Sequence, residues 1–265
     1  MLESPTGKPI TLGAAHPNAG LEVQYRRKLV RLVDEMNRSI LYWIRVYYRR
    51  DPPEIAQDSP ASTLIKAIRG LGRRWTRRFN DTADELAAYF GTAIRKRSEA
   101  ALQDILRRGG FSVRFRPSAA VRDVMDAIVA GNVSLIRSIP AQHFTQIEGM
   151  VMRSVQAGRD LKQLTDDLQD AFGVTRRRAI AIARDQNNKA TAMITRARQM
   201  EIGVTKAIWL HSHGGNPRPE HLSWSGQEYD VAKGMWSKVD HAWVWPGTAI
   251  NCRCVSKSIV PGYSA

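Results

Sequence analysis

A chain of 265 residues with 43 % hydrophobic composition can hold one large or two modest cored domains and is too apolar for a disordered segment. Its formal net charge of +15 favours a polyanionic partner: nucleic acid, an anionic membrane or an acidic protein surface. No stretch reaches the roughly 18 uninterrupted apolar residues of a membrane span, the opening Met1-Leu2-Glu3-Ser4-Pro5 lacks a leader pattern, and Cys252 and Cys254 stand too close for an unstrained disulfide, so synthesis in a reducing cytoplasm is expected.

Residues 1–20 hold three Pro, three Gly and no apolar period, and read as an extended arm. The long-helix region, 21–110, follows. A first helix over Leu21–Arg50 lines one face with Leu29, Val33, Met36, Ile40, Trp43/Ile44 and Tyr47, and Pro52-Pro53 ends it. Ser59-Pro60 reads as an N-cap with a first-turn proline. Leu64, Ile68, Leu71, Trp75 and Phe79 then lead, after an expected break near Asn80, to Leu86, Phe90 and Ile94, and Gly109-Gly110 stops the run.

Residues 111–205 form a second helical region. The alternation Phe111-Ser112-Val113-Arg114-Phe115 predicts a short strand closed by Pro117. Helices are expected over 119–130, 132–138, 141–157, 161–171 and 176–202, separated by Gly131, Pro140, Gly158 and Gly173. Thr175 would cap the last one and Gly203 lies just past its end. Its apolar face comprises Ala179, Ile182/Ala183, Ala190, Met193, Ala197 and Met200, interrupted by Gln186, with Arg184-Asp185 beside it.

Composition changes near Val204. Five of seven tryptophans (Trp209, Trp224, Trp236, Trp243, Trp245) and four of six histidines fall in 206–265, among Gly and Pro that punctuate short aromatic runs. The fold class is therefore mainly α, long N-terminal helices followed by a helical bundle, with a small Trp-rich C-terminal α+β domain. The basic excess is +8 over 1–110, +5 over 111–205 and +2 over 206–265. Arg73, Arg74, Arg77 and Arg78, with Trp75 and Phe79 between and after them, make a stripe that could track phosphates without reading sequence; Arg176-Arg177-Arg178 is a second cluster. A solvated basic face, or one that meets an acidic protein, is the alternative.

The tail concentrates the residues with chemistry. Arg218 suits anion or carboxylate recognition and His221, three residues on, can be acid, base or metal ligand. Cys252 and Cys254 could join His221 and either His211 or His213 in a zinc set, which would help a tail of about 60 residues without disulfides. The C-x-C spacing is tighter than common zinc hooks and suits a pair of free core thiols better, with both side chains on one face of a strand. A metal-independent nuclease would use His221 as base, Arg218 as clamp and His213 or Glu220 as partner, but a second acid/base group at fixed spacing is missing, so no catalytic residue is assigned.

In order, Arg218-Pro219-Glu220-His221, Gly226, Pro246-Gly247 and Asn251-Cys252-Arg253-Cys254 resemble the phage Mu F-like family of minor head, or head morphogenesis, proteins. Gly173-Val174-Thr175, Ala183-Arg184-Asp185-Gln186, Lys189-Ala190, Gly203-Val204 and Trp209 extend the likeness to roughly Val121–Val255. The pattern departs at His213-Gly214-Gly215, where many members carry an acidic residue shortly before the arginine. The resemblance implies a non-enzymatic minor capsid component at the portal vertex, acting in head assembly and in DNA packaging or delivery. Its partners would be the portal protein, other capsid proteins and non-specific double-stranded DNA, with no membrane; it would reside in the host cytoplasm during assembly and then in the virion. It also implies that Arg184-Asp185-Gln186 docks the tail onto its helix. Residues 21–110 would supply the portal or capsid contact, and the tail motif would be a structural brace in which Asn251 and Arg253 satisfy loops around Arg218. A nuclease or a non-specific DNA-binding protein remains the alternative.

Overall fold

The computed structural model describes residues 7–50, 59–156, 161–214 and 217–262. Four long helices, α1 (Ala19–Arg50), α2 (Ser59–Arg108), α3 (Ala119–Gln156) and α4 (Leu161–Glu201), precede most of the strands. Strand β1 (Gly7–Ala14) comes first, and after α4 follow β2 (Lys206–Leu210), α5 (Pro219–Ser223), β3 (Glu228–Asp230), β4 (Met235–Ser237), β5 (Ala242–Val244) and β6 (Val255–Gly262). The expected class holds: mainly helix with a small strand-bearing C-terminal part. The chain divides into two compact units, one of 1–22, 89–129 and 184–265, the other of 23–88 and 130–183.

The second unit is built by apolar periodicity. Leu29, Val33, Met36, Ile40 and Ile44 of α1 are at most 1 % exposed, and Leu64, Ile68, Leu71, Trp75, Phe79 and Leu86 of α2 are buried at the same three- and four-residue steps. The break expected near Asn80 does not occur, because α2 runs unbroken through it. Likewise α3 passes through Gly131 and Pro140, and α4 through Gly173. An interior proline costs about 3 kcal/mol, but Ile136, Ile139, Pro140, Phe144 and Ile147 are all buried, so the packed face holds α3 together across it. Thr175 is not a cap. Its hydroxyl donates to the Ala171 carbonyl (3.0 Å) one turn earlier and meets His143 Nδ1 at 2.9 Å inside the unit. The breaks expected at Pro52-Pro53 and Gly158 lie outside the described residues.

True helix ends carry explicit caps. The Asn18 side chain accepts the Leu21 N–H (2.9 Å) and starts α1, and Ser118 Oγ accepts the Val121 N–H (3.3 Å) and starts α3. At the end of α4 the N–H of Val204 reaches the Gln199 carbonyl and that of Gly203, at φ 78°, the Met200 carbonyl, which is a Schellman closure. Gly110 and Phe111 close α2 on Arg107 and Leu106 in the same way.

The first unit holds the sheets. β1, β6, β2 and β3 form an antiparallel sheet in that order, and β4 pairs with β5 in a separate hairpin. Within the segment read as an extended arm, residues 7–14 form a paired strand, with Thr11 opposite Ile259 and Ile10 opposite Val260. Phe111–Phe115 is not a strand. Its Phe111, Val113 and Phe115 pack on the core, while the Val113 and Arg116 carbonyls accept from Gln103 and Arg198 side chains instead of a ladder. That core joins Leu12 and Ala15, Leu102, Ile105 and Leu106 of α2, and Trp209, Tyr229, Cys252, Cys254 and Val260. Among the described residues no helix is long and apolar enough to cross a membrane.

Candidate functional site

The tail motif closes around Trp209, a fully buried residue of β2. Its indole meets His221 edge-on (centroids 5.1 Å), Trp224 (4.9 Å) and Tyr229 (6.1 Å), and His221 stacks on Trp224 at 5.3 Å. Pro219 opens α5, a single turn in which the Leu222 N–H returns to the Arg218 carbonyl (3.0 Å), and this turn carries His221 inward. Gly226 closes the next turn by donating to the Trp209 carbonyl (2.8 Å). His221, Cys252 and Cys254 are 2 %, 4 % and 4 % exposed, and their ligating atoms lie within 4.8 Å of one another. His221 Nδ1 is 3.4 Å from Cys252 Sγ and 3.8 Å from Cys254 Sγ.

The two thiols are inequivalent. The Cys252 thiol is held below its ordinary pKa, chiefly by a hydrogen bond from Cys254, with His221 and the backbone N–H groups of Cys254 and Gly247 (3.4 Å) adding to it against burial. Cys254 is pushed up because its proton is held in that bond and because it is buried beside a thiolate. The Trp209 indole N–H, beside the Cys254 sulfur, works against that rise.

Helix α4 positions the cysteine loop. Asp185, 8 % exposed, accepts the Asn251 N–H at 2.6 Å with one oxygen and pairs with Lys189 at 2.9 Å with the other. Asn188 donates to the Cys252 carbonyl (3.2 Å). Gly247, at φ 84°, lies so close to the helix that a Cβ would come within 2.9 Å of Ala192 Cβ and 3.1 Å of the Cys254 carbonyl, so Pro246-Gly247 marks an approach only glycine allows. Asn251 acts here through its backbone N–H, and it adopts φ 58°. The role expected for the Asn251 and Arg253 side chains, satisfying loops around Arg218, has no counterpart among the described hydrogen bonds; both residues are exposed. Arg184 is half-buried beside Asp185.

His221, Cys252, Cys254, His211, Arg218, Asn251 and Arg253 line one cavity of about 300 Å³. Arg218 is exposed along it. His211 and His213 lie past the end of β2, not on one face of it. The His213 N–H donates to His211 Nδ1 (2.9 Å), and burial, followed by the His213 charge, lowers the His211 pKa. Glu220 is engaged elsewhere: it accepts from Ser237 Oγ (2.8 Å) and the Lys238 N–H (2.9 Å), and these bonds hold its pKa down. Glu220, one of the groups a nuclease would combine with His221, is thus committed to other bonds.

Several braces are not legible in the sequence. Arg198, 2 % exposed, pairs with Glu99, Glu201 (2.5 Å) and the Arg116 carbonyl (2.8 Å). Arg196 donates to the Val231 and Ala232 carbonyls and lies 3.7 Å over the Trp245 ring, while Gln199 donates to Ser256 and Ser258 of β6. Met200, expected on the apolar face, is 49 % exposed. The only hint in sequence is a helix whose apolar face gives way to Arg and Gln just before the tail.

Elsewhere, Arg73, Arg74, Arg77 and Arg78 are exposed on α2, but Trp75 (7 % exposed) and Phe79 (0 %) point into the core and offer no stacking platform. Arg78 pairs with Glu35 at 2.5 Å.

Residues 145–257 match the family model described as Phage Mu protein F like protein, a narrower span than Val121–Val255 at its N-terminal side. An uncharacterized protein of Haemophilus influenzae (strain ATCC 51907 / DSM 11121 / KW20 / Rd) is 35 % identical over 144 residues, which cover 54 % of this chain and 31 % of that protein. The chain thus spans less than a third of that relative's length. No solved structure matches it.

Proposed function

We propose, from the match of residues 145–257 to the Mu F-like family model, that the chain is a minor capsid protein of a tailed phage or prophage that acts in head morphogenesis at the portal vertex. The observation that carries this reading is the use made of the matched residues: Asp185, Trp209, His221, Gly247 and Asn251–Cys254 interlock α4 with the tail through buried rings and backbone hydrogen bonds. Such a lattice suits a load-holding part better than a turnover site. The protein works as a structural component, in the host cytoplasm during assembly and in the virion afterwards. Its partners are the portal and other capsid proteins, and its net charge of +15 allows non-specific binding to the packaged double-stranded DNA.

The portal-binding surface lies on the N-terminal helices and is smaller than composition alone suggests. Trp75 and Phe79 are consumed by the core; Tyr42 is 62 % exposed and stands 5.4 Å, edge-on, from a half-buried Trp43, which neighbours Tyr47 at 6.2 Å. Tyr48 lies outside the described side chains. The chain carrying Tyr42→Ser and Trp43→Ser is expected to keep its helical circular dichroism and lose co-sedimentation with portal. Undiminished co-sedimentation by the folded variant, together with absence of the wild-type chain from purified heads, would overturn the assignment.

A further inference from the structure

We propose that His221, Cys252 and Cys254 form a zinc site whose fourth position opens onto the cavity beside Arg218. The tight C-x-C spacing ceases to be an obstacle once the loop is seen in three dimensions. A tetrahedral zinc with Zn–S near 2.3 Å and Zn–N near 2.0–2.1 Å separates nitrogen and sulfur ligands by about 3.6 Å. The two sulfurs lie 3.4 and 3.8 Å from His221 Nδ1, which straddles that edge length. Two thiols from one loop, Cys252 and Cys254, and an imidazole from α5, His221, point their ligating atoms at one small volume.

The surroundings are those of a preorganised ligand set. Cys252 Sγ accepts the Gly247 N–H (3.4 Å), the kind of N–H to sulfur bond that steadies a metal thiolate. The loop carrying both cysteines is tied to α4 by Asp185 and Asn188, and the imidazole is clamped between Trp209 and Trp224. These constraints hold the ligands without help from the ion, so binding meets a low ordering cost. Two thiolates and a neutral imidazole select zinc over oxygen-seeking Mg²⁺ or Ca²⁺.

His211 lines the same cavity but is not the fourth ligand. Its Nδ1 accepts the His213 amide proton, so the proton of the neutral ring resides on Nε2 and blocks that atom. With three protein ligands the remaining corner faces the roughly 300 Å³ cavity, where water or a small anion can bind near Arg218 and Arg253. That is the coordination pattern of zinc sites that exchange a ligand rather than of closed structural ones. The proposal stands on the tail alone and does not depend on the portal assignment.

The full-length chain, purified without chelator, is expected to carry about one zinc per chain by mass spectrometry of the metal. Substituting cobalt should produce thiolate-to-cobalt charge transfer in the near ultraviolet and intense tetrahedral bands in the visible. Cys252→Ser with Cys254→Ser, and separately His221→Ala, should lose most of the bound metal. Because those variants remove buried core groups and put folding at risk, the decisive measurement uses the folded wild-type chain. Absence of zinc there, with no cobalt spectrum on reconstitution, overturns the site and leaves a thiol pair. Azide added to the cobalt protein should shift the visible bands as the fourth ligand exchanges; an unshifted spectrum overturns the open position.

Discussion

The two units of the chain are held by different physics. In the unit of 23–88 and 130–183, helices satisfy their own backbone groups and the buried faces are almost wholly apolar, so cohesion is spread over many residues such as Leu29, Val33, Met36, Ile40, Ile68 and Phe79. In the other unit the strands are short, three of them only three residues long, and loops leave carbonyls and amides that no ladder reaches. There the buried side chains include Asp185, Asn188, Arg198, Gln199 and His221, each spent on a loop, a strand or a ring. The contrast shows that a small sheet domain can compensate for scarce secondary structure with a few indispensable polar contacts, at the cost of tolerance.

The sharpest test of that contrast is Arg198→Met. Removing a buried guanidinium strands Glu99, 13 % exposed, and such a break costs about 3–5 kcal/mol. Calorimetry should show the unit with the sheets melting early. A melting temperature within a degree or two of wild type would mean that the unit does not rely on its polar braces.

Among its described residues the apolar unit has an acid-sensitive histidine. His143 is 1 % exposed and burial lowers its pKa to about 4, beneath its ordinary value of 6.5. The unfolded chain therefore binds the proton more readily, so stability is complete above about pH 6.5 and falls as pH drops toward 4, by roughly 3 kcal/mol. Thermal melts across that window should show the loss, and His143→Gln should flatten it. A flat wild-type profile would place the histidine in a wetter environment.

Next in size is Asp185→Ala, which leaves the Asn251 N–H and Lys189 without their carboxylate and is expected to cost about 1–3 kcal/mol. Asp185→Asn, which keeps an acceptor oxygen, should recover much of it. Equal losses from both variants would point to charge, not hydrogen bonding, as the anchor.

The smallest effect on stability belongs to the exposed arginines. Replacing Arg73, Arg74, Arg77 and Arg78 with Gln should change folding by no more than about 0.5 kcal/mol. It should flatten the dependence of log DNA affinity on log salt by about 0.9 for every phosphate that is no longer neutralised. Arg78, tied to Glu35, should contribute least when mutated singly. An unchanged slope would move DNA binding to another surface.

Sequence alone determined the helical class, the buried faces of α1 and α2, the end of α4 at Gly203 and the cluster of residues in the tail motif. Those features are written in nearest-neighbour chemistry: periodic apolar residues, glycine past a helix end, and aromatic, His and Cys residues gathered in 60 positions. Local signals misled where packing outweighed them. Pro140 and Gly173 sit inside helices because buried faces run past them, and Phe111–Phe115 alternates like a strand but has no neighbour to pair with. Residues 7–14 show the converse, since only β6, almost 250 positions away, makes a strand of that glycine- and proline-bearing segment. The same holds for the site. Whether His211 or His213 joins His221 beside the cysteines, which carboxylate holds Asn251 and why Arg198 is buried were decided by tertiary structure, because a polar side chain declares its role only once the partner that satisfies it is in place.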